Sequence, residues 1–198
     1  DFVVAHHTAE AKVVATALVR GAFEYQGQKC SAASRAYISK GIWENVFKEM
    51  QLMLTEIKVG SPENFENFVN AVIDKRAFDK ISDYIEKARN LPENQIIAGG
   101  TYDDSVGYFI DPTVILTTNP TSLTMVEEIF GPVLTIYIFD DNQYESTLEL
   151  VNETSPYALT GAIIANDVEA IKSANRVLRN AAGNFYINDK PTGATVGQ

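Results

Sequence analysis

Strand-like and helix-like segments alternate from one end of this chain to the other, and that alternation restricts the fold more than any other feature. The apolar run Phe2-Val3-Val4-Ala5 comes first. Val13, Val14, Ala17, Leu18 and Phe23 then recur at helical spacing, predicting a helix over Ala9 to Tyr25 with Thr8 as its N-cap. Arg35 to Ile38 reads as a short strand, and Trp43 to Ile57 as an amphipathic helix stopped near Val59-Gly60 and Ser61-Pro62. Phe68 to Ile73 reads as a further strand. Lys75 to Asn90 carries Phe78, Ile81, Tyr84, Ile85 and Ala88 on one helical face, ended by Leu91-Pro92. Gln95 to Ala98 is a strand closed by Gly99-Gly100, and Tyr108 to Leu116 is extended, with Pro112 marking an edge or bulge. Val133 to Phe139, rich in β-branched and aromatic residues, is a core strand. A helix over Asn142 to Asn152, a strand over Leu159 to Ile164, a helix capped by Asp167 and running to Leu178, and a strand over Gly183 to Ile187 complete the pattern. The expected architecture is one α/β domain, a mostly parallel twisted sheet with helices on both faces.

The bulk numbers narrow the function classes. The length is 198 residues with 45% hydrophobic, enough for a substantial core in one domain of ordinary size. A net charge of -10 repels phosphate backbones, and no basic cluster with interleaved aromatics occurs, so nucleic acid is not an expected partner. One cysteine allows no internal disulfide and no multi-thiolate zinc site. No apolar run approaches the roughly 20 residues of a transmembrane helix, so no membrane partner is expected. The chain opens on Asp1 and closes on a loop with no stop signal, which reads as a piece of a longer protein.

Three stretches could carry chemistry. Cys30 is either a buried structural thiol or a nucleophile. Its setting, Gln26-Gly27-Gln28-Lys29-Cys30-Ser31, is polar, Gly27 frees the backbone, and Lys29 is a nearby cation that could favour the thiolate. Glu127-Glu128-Ile129-Phe130-Gly131-Pro132-Val133 is either a turn entering a strand or a place where one carboxylate accepts bonds from ribose hydroxyls and one ring packs on a flat heterocycle. Gly183-Asn184-Phe185-Tyr186-Ile187-Asn188 with Thr192-Gly193-Ala194 is either a strand with its exit loop or a loop offering free N–H groups to an anion. His6 and His7, adjacent on a strand, should point to opposite faces and share no metal. A helix of about four to five turns separates them from Cys30, which argues against a Cys–His hydrolase pair.

In this order the three stretches resemble the aldehyde dehydrogenase superfamily over essentially the whole chain. Leu178 to Lys190 with Thr192-Gly193, and Asp103 to Phe109, look like its branch acting on pyrroline-5-carboxylate, the cyclic form of glutamate semialdehyde. The resemblance implies that 1–198 is the nucleophile-bearing catalytic domain of an NAD-dependent oxidoreductase of proline metabolism. Cys30 is then the nucleophile, Glu128 binds the nicotinamide ribose of NAD, and Phe130 packs near the nicotinamide. Ser31 lies near the substrate, and Gly193 and Ala194 fall in the loop that anchors its α-carboxylate. A close relative carries Ser where Ala194 stands, which would remove a hydroxyl bond and leave the backbone donors. The family's general base, its oxyanion asparagine, its NAD-binding domain and its oligomerisation strands fall outside 1–198, so the isolated chain should be nearly inactive. A homo-oligomer is implied for the full enzyme, in the mitochondrial matrix of a eukaryote or the cytoplasm of a bacterium. Two alternatives stand beside this reading. One is an aldehyde dehydrogenase of another substrate. The other is a truncated interaction domain, which light scattering would identify by its binding of intact subunits. The active site is expected on a loop at the carboxyl ends of the strands.

Overall fold

The computed structural model describes residues 1–193. Its elements follow in chain order as β1 (Phe2–Ala5), α1 (Ala11–Phe23), β2 (Arg35–Ser39), α2 (Lys40–Glu56), α3 (Lys75–Asn90), β3 (Asn94–Ala98), β4 (Tyr102–Asp103) and β5 (Phe109–Ile110). Then come β6 (Thr113–Thr117), α4 (Leu123–Val126), β7 (Val133–Phe139), α5 (Tyr144–Glu153), β8 (Thr160–Ile164), α6 (Val168–Val177) and β9 (Asn184–Ile187). Seven strands form one sheet in the order β3-β6-β7-β2-β1-β8-β9, parallel throughout except for β3 against β6. β4 and β5 pair separately as a small antiparallel ribbon. The expected α/β class holds, with one antiparallel edge strand.

Residue alternation sorts the two faces. Val3, Ala36, Ile38, Leu134, Ile136 and Ala162 point to α1 and α2, where Val14, Leu18, Val46 and Met50 meet them. Phe2, Val4, Tyr37 and Ile163 point the other way, to Leu148 and Val151 of α5 and Ala170 and Ala174 of α6. On that same face Ile115 and Val133 pack against Ile81 and Ile85 of α3. The central strands β1 and β2 are buried along their whole length, as a sheet covered on both sides requires.

Several local expectations fail for identifiable reasons. Thr8 does not cap α1, whose N-cap is Glu10. The Thr8 hydroxyl instead accepts the N–H groups of Asn166 and Asp167, both at 3.1 Å, and so joins the end of β1 to the β8–α6 turn. α1 ends at Phe23, because Tyr25 and Gln26 both take φ 57° and no right-handed helix passes through such a backbone. Phe68–Ile73 is not a sheet strand; it contributes one bridge, Val69 to Val59. His6 and His7 lie beyond the end of β1, so strand alternation does not apply, and their rings sit 4.0 Å apart. α4 and β4 have no counterpart in the sequence reading, whereas β5 falls at the start of the extended stretch Tyr108 to Leu116.

Two stability predictions follow from this packing. Gly161 of β8 stands opposite Phe2 of β1, and a Cβ there would overlap the fully buried Phe2 ring. Gly161→Val should therefore lower stability by about 1–3 kcal/mol in urea unfolding, and an unchanged midpoint would refute the overlap. His6 is buried, with its Nδ1 2.9 Å from the Thr8 hydroxyl. Burial first, and the neighbouring His7 second, depress its pKa below the ordinary 6.5, against a smaller opposing pull from Asp167 and Asp141. The folded state thus prefers the neutral ring, and the unfolded chain takes up the proton first. Stability contributed by His6 is present above 6.5 and is lost as pH falls. Chemical denaturation between pH 7.5 and 5.5 should show a steeper loss in the unsubstituted chain than in His6→Gln, and parallel curves would refute it.

Candidate active site

Two of the three stretches, the Cys30 turn and Glu127 to Gly131, meet at the amino ends of the parallel strands, not at the carboxyl ends, and the third reaches the Cys30 turn through Thr192. Asp1 precedes β1, the Cys30 turn precedes β2, Glu127 to Gly131 precede β7, and Ser155 to Leu159 precede β8. Together they line one cavity of about 360 Å³ that includes Cys30, Glu128, Phe130 and Arg35. The expectation of a carboxyl-end site is corrected by the chain path: α1 descends across the sheet and delivers the Cys30 turn to where β2 begins.

Cys30 is exposed, which removes the reading as a buried structural thiol. Its turn is held from behind. The Ala33 N–H donates to the Gly21 carbonyl of α1 at 3.0 Å, and the Ala32 N–H donates to the Lys29 carbonyl at 3.1 Å. Gly27, at φ 64°, has no room for a side chain, since a Cβ would overlap the Gly131 carbonyl oxygen and lie 2.7 Å from that of Ala22. That close approach presses the Cys30 turn onto the Glu127–Gly131 turn.

Lys29 does not stand free beside the thiol. Its Nζ is 3.3 Å from Glu24, which also receives Arg20 at 2.5 Å and Lys190 at 2.7 Å. Burial opposes ionisation of Glu24, but the hydrogen bonds of Lys190, Arg20 and Lys29 outweigh it and hold the carboxyl below its usual range. One carboxylate among three cations leaves a net positive cluster at the side of the Cys30 turn. Arg20 and Glu24, four apart across the end of α1, form a pair a helix reading can find; Lys190, 166 residues from Glu24, is not visible that way.

Ser31 and the loop carrying Thr192 and Gly193 do meet. The Ser31 hydroxyl bonds the buried Thr192 hydroxyl at 2.8 Å, and the Ser31 carbonyl accepts from Thr160 at 3.2 Å. Gly193 takes φ 96°, and its carbonyl accepts the Tyr186 hydroxyl at 3.3 Å. Ala194 lies outside the described residues. Thr192 had been noted without a role; its hydroxyl is what ties the two loops.

Glu128 and Phe130 occupy the opposite wall. Both are exposed at the cavity, and among the described residues no hydrogen bond uses the Glu128 carboxylate, whose oxygens can accept hydroxyls. The Glu128 backbone is fixed by Lys80, whose Nζ donates to its carbonyl at 2.7 Å. Phe130 holds φ 64°, a conformation bulky residues rarely adopt. A free carboxylate beside an exposed ring fits a ribose joined to a flat heterocycle. Beneath them Arg35 is only 2% exposed and has no carboxylate partner among the described residues. Its Nη1 donates to the Tyr157 carbonyl at 3.3 Å and its guanidinium carbon lies 5.5 Å from the Phe2 ring centre. Among the described residues no group of three His, Cys, Asp or Glu side chains could hold a metal.

Known proteins resemble this chain over its whole length. The aldehyde dehydrogenase family model matches residues 1–198. The mitochondrial Δ1-pyrroline-5-carboxylate dehydrogenase of Dictyostelium discoideum is 50% identical over 198 residues, and the human protein of the same name 47% over 199. These alignments cover all of this chain but 36% and 35% of the relatives' own lengths, so the chain spans about a third of each. The crystal structure of the Mycobacterium tuberculosis pyrroline-5-carboxylate dehydrogenase superposes with a TM-score of 0.95 at 49% identity, covering 100% of this chain and 36% of that one. The Thermus enzyme with bound NAD superposes at 0.88 with 34% identity, covering 100% and 37%. The chain belongs to the aldehyde dehydrogenase family.

Proposed function

We propose that this chain is the nucleophile-bearing part of an NAD-dependent dehydrogenase that oxidises L-glutamate 5-semialdehyde to glutamate in proline catabolism. The observation that carries the reading is the single cavity joining Cys30 to Glu128 and Phe130, about a hundred residues away in sequence. The relatives' names, and the NAD-bound state of the Thermus and M. tuberculosis structures, support the substrate and the cofactor. The lactaldehyde dehydrogenase of Escherichia coli is more distant, at 25% identity.

In this reading the Cys30 thiolate attacks the aldehyde carbon, and a C–S bond forms as the carbonyl pair moves to oxygen. A thiol suits the step because it is a good nucleophile and a good leaving group from the acyl level. NAD, when bound, supplies the hydride acceptor. Loss of hydride from the same carbon leaves a thioester on Cys30, and water releases glutamate and the thiol. Glu128 accepts the ribose hydroxyls, and Phe130 offers its ring to the nicotinamide. Ser31, held by Thr192, and Gly193 form the end that takes the α-carboxylate, beside the positive cluster around Glu24. The base that activates water and a further oxyanion donor come from outside 1–198, in keeping with the share of the relatives' length that the chain spans. In a eukaryotic host we place the enzyme in the mitochondrion, as the Dictyostelium and human relatives are named. Among the described residues β9 pairs on one side only, as an edge strand, and this supports homo-oligomeric assembly.

Three outcomes test this. The 198-residue chain alone should form no NADH from glutamate semialdehyde and NAD, and turnover near that of a full-length family member would refute the division of labour. In the natural protein carrying these residues, Cys30→Ala should lower kcat by more than about a thousandfold, as loss of a nucleophile does. Retained NADH formation would remove Cys30 from the chemistry. Thr192→Val in that protein should raise the KM for glutamate semialdehyde about three- to tenfold with a smaller change in the KM for NAD. An equal rise in both would mean the Ser31–Thr192 bond does not serve the substrate end.

A further inference from the structure

Gln28 lies two residues before Cys30 and makes two bonds at once. Its Oε1 accepts the Ile73 N–H at 2.9 Å, and its Nε2 donates to the Phe130 carbonyl at 3.4 Å. Gln26 makes a similar pair, accepting the Asn70 N–H at 3.1 Å and donating to the Ala71 carbonyl at 3.4 Å. Both side chains face 70–73 because Tyr25, Gln26 and Gly27 take successive left-handed conformations that redirect the backbone. The two glutamines differ in what they join. Gln26 staples one segment to the Cys30 turn, whereas Gln28 spans two segments and reaches the turn that carries Phe130.

That turn needs holding. Phe130 sits at φ 64°, Gly131 packs against Ile81 where a Cβ would overlap it, and the Gly131 carbonyl presses on Gly27. The Phe130 carbonyl is thus the group whose orientation fixes the peptide on which the exposed ring is mounted. We infer that Gln28 is a positioning residue that sets the aim of the Phe130 ring into the Cys30 cavity, and so the placement of a nicotinamide-type ring relative to the thiol. This rests on the functional reading above. The role demands an acceptor and a donor on one short side chain, which is what an amide provides; a carboxylate offers acceptors only, and a thioether neither of comparable strength.

The test uses Gln28→Glu and Gln28→Met in the natural protein that carries these residues. Glu keeps the acceptor for Ile73 and loses the donor to Phe130; Met loses both. Both variants should raise the KM for NAD and lower the rate of NADH formation by about three- to tenfold, the worth of one hydrogen bond. Without NAD, the rate of Cys30 alkylation by iodoacetamide should stay within about twofold of the unsubstituted protein. Hydrogen exchange at the Ile73 amide should speed up in Met and stay slow in Glu. Unsubstituted kinetics in Gln28→Glu would overturn the inference, because the donor to Phe130 would then carry nothing. Alkylation falling in step with turnover would also overturn it, placing the effect on the thiol. An unsubstituted protein that oxidises no aldehyde overturns the functional reading and this one with it; an active one beside an unimpaired Gln28→Glu overturns this one alone.

Discussion

The contact between the Gly27 backbone and the Gly131 carbonyl is the constraint on which the rest of the site depends. No side chain fits at 27, so the turn bearing Cys30 and the turn bearing Glu128 and Phe130 meet backbone to backbone. Neither turn has this shape by itself. The first runs through two non-glycine residues at φ 57°, and the second through a phenylalanine at φ 64°. Such positions cost of order 1–3 kcal/mol each and persist only where surrounding structure over-determines them. Here the surroundings are α1, ended at Phe23, and α3, whose Ile81 fills the space beside Gly131. The strain therefore sits on the loops, and the packed sheet and helices behind them offset it.

The position of the cavity at the amino ends of the strands follows from the same path. In a doubly wound sheet the carboxyl ends usually carry the ligand. In this chain several polar groups at those ends are engaged in local bonds. Asp141 accepts from the Ser39 hydroxyl at 2.5 Å and the Gly41 N–H at 2.9 Å, closing the amino end of α2, and Thr8 and His6 close the turn after β1. Among the described residues, the amino ends hold groups left open: an exposed thiol, an unengaged carboxylate, an exposed ring and a buried guanidinium with an unpartnered Nε. A buried cation without a counter-charge is costly unless something compensates it, and Arg35 lies on the floor of that cavity. Fold class alone did not decide which rim brings Cys30, Glu128 and Phe130 together.

The strands and helices that build the core were legible because their periodicity is long and unbroken. Val133 to Phe139 and Lys75 to Asn90 appear at the boundaries read for them. The short elements were not. Leu123–Val126 makes a single helical turn, too short for a period to register, and Phe68–Ile73 looks β-like but is bound by glutamine side chains instead of a sheet neighbour. For the site, the motif residues were legible and the ties between them were not. Lys29 looked like a partner for the thiol because it is adjacent in sequence, yet Glu24 engages it, and Glu24 is engaged in turn by Lys190. Local sequence reports which groups are near along the chain; the Ser31–Thr192 and Gln28–Phe130 bonds join residues 161 and 102 positions apart.

Those long-range ties differ in kind on the two sides of Cys30, and the difference separates two tasks. Toward the Phe130 wall the links are uncharged: a glycine contact and an amide bridge, both short-ranged and dependent on geometry. Such links fix distance and angle, which is what alignment of a reacting carbon with a flat ring requires. Toward the Thr192 and Gly193 loop the links include Lys29 and Lys190 on one carboxylate, a cluster with excess positive charge that acts over several ångströms in water. Under the function proposed above, such a field draws in an anionic substrate end without specifying its orientation, leaving that to the Gly193 backbone and the Ser31 hydroxyl. The thiol lies between a wall held by short-ranged contacts and a loop held by charge, and the substrate proposed above, an aldehyde with a carboxylate at its far end, would use both.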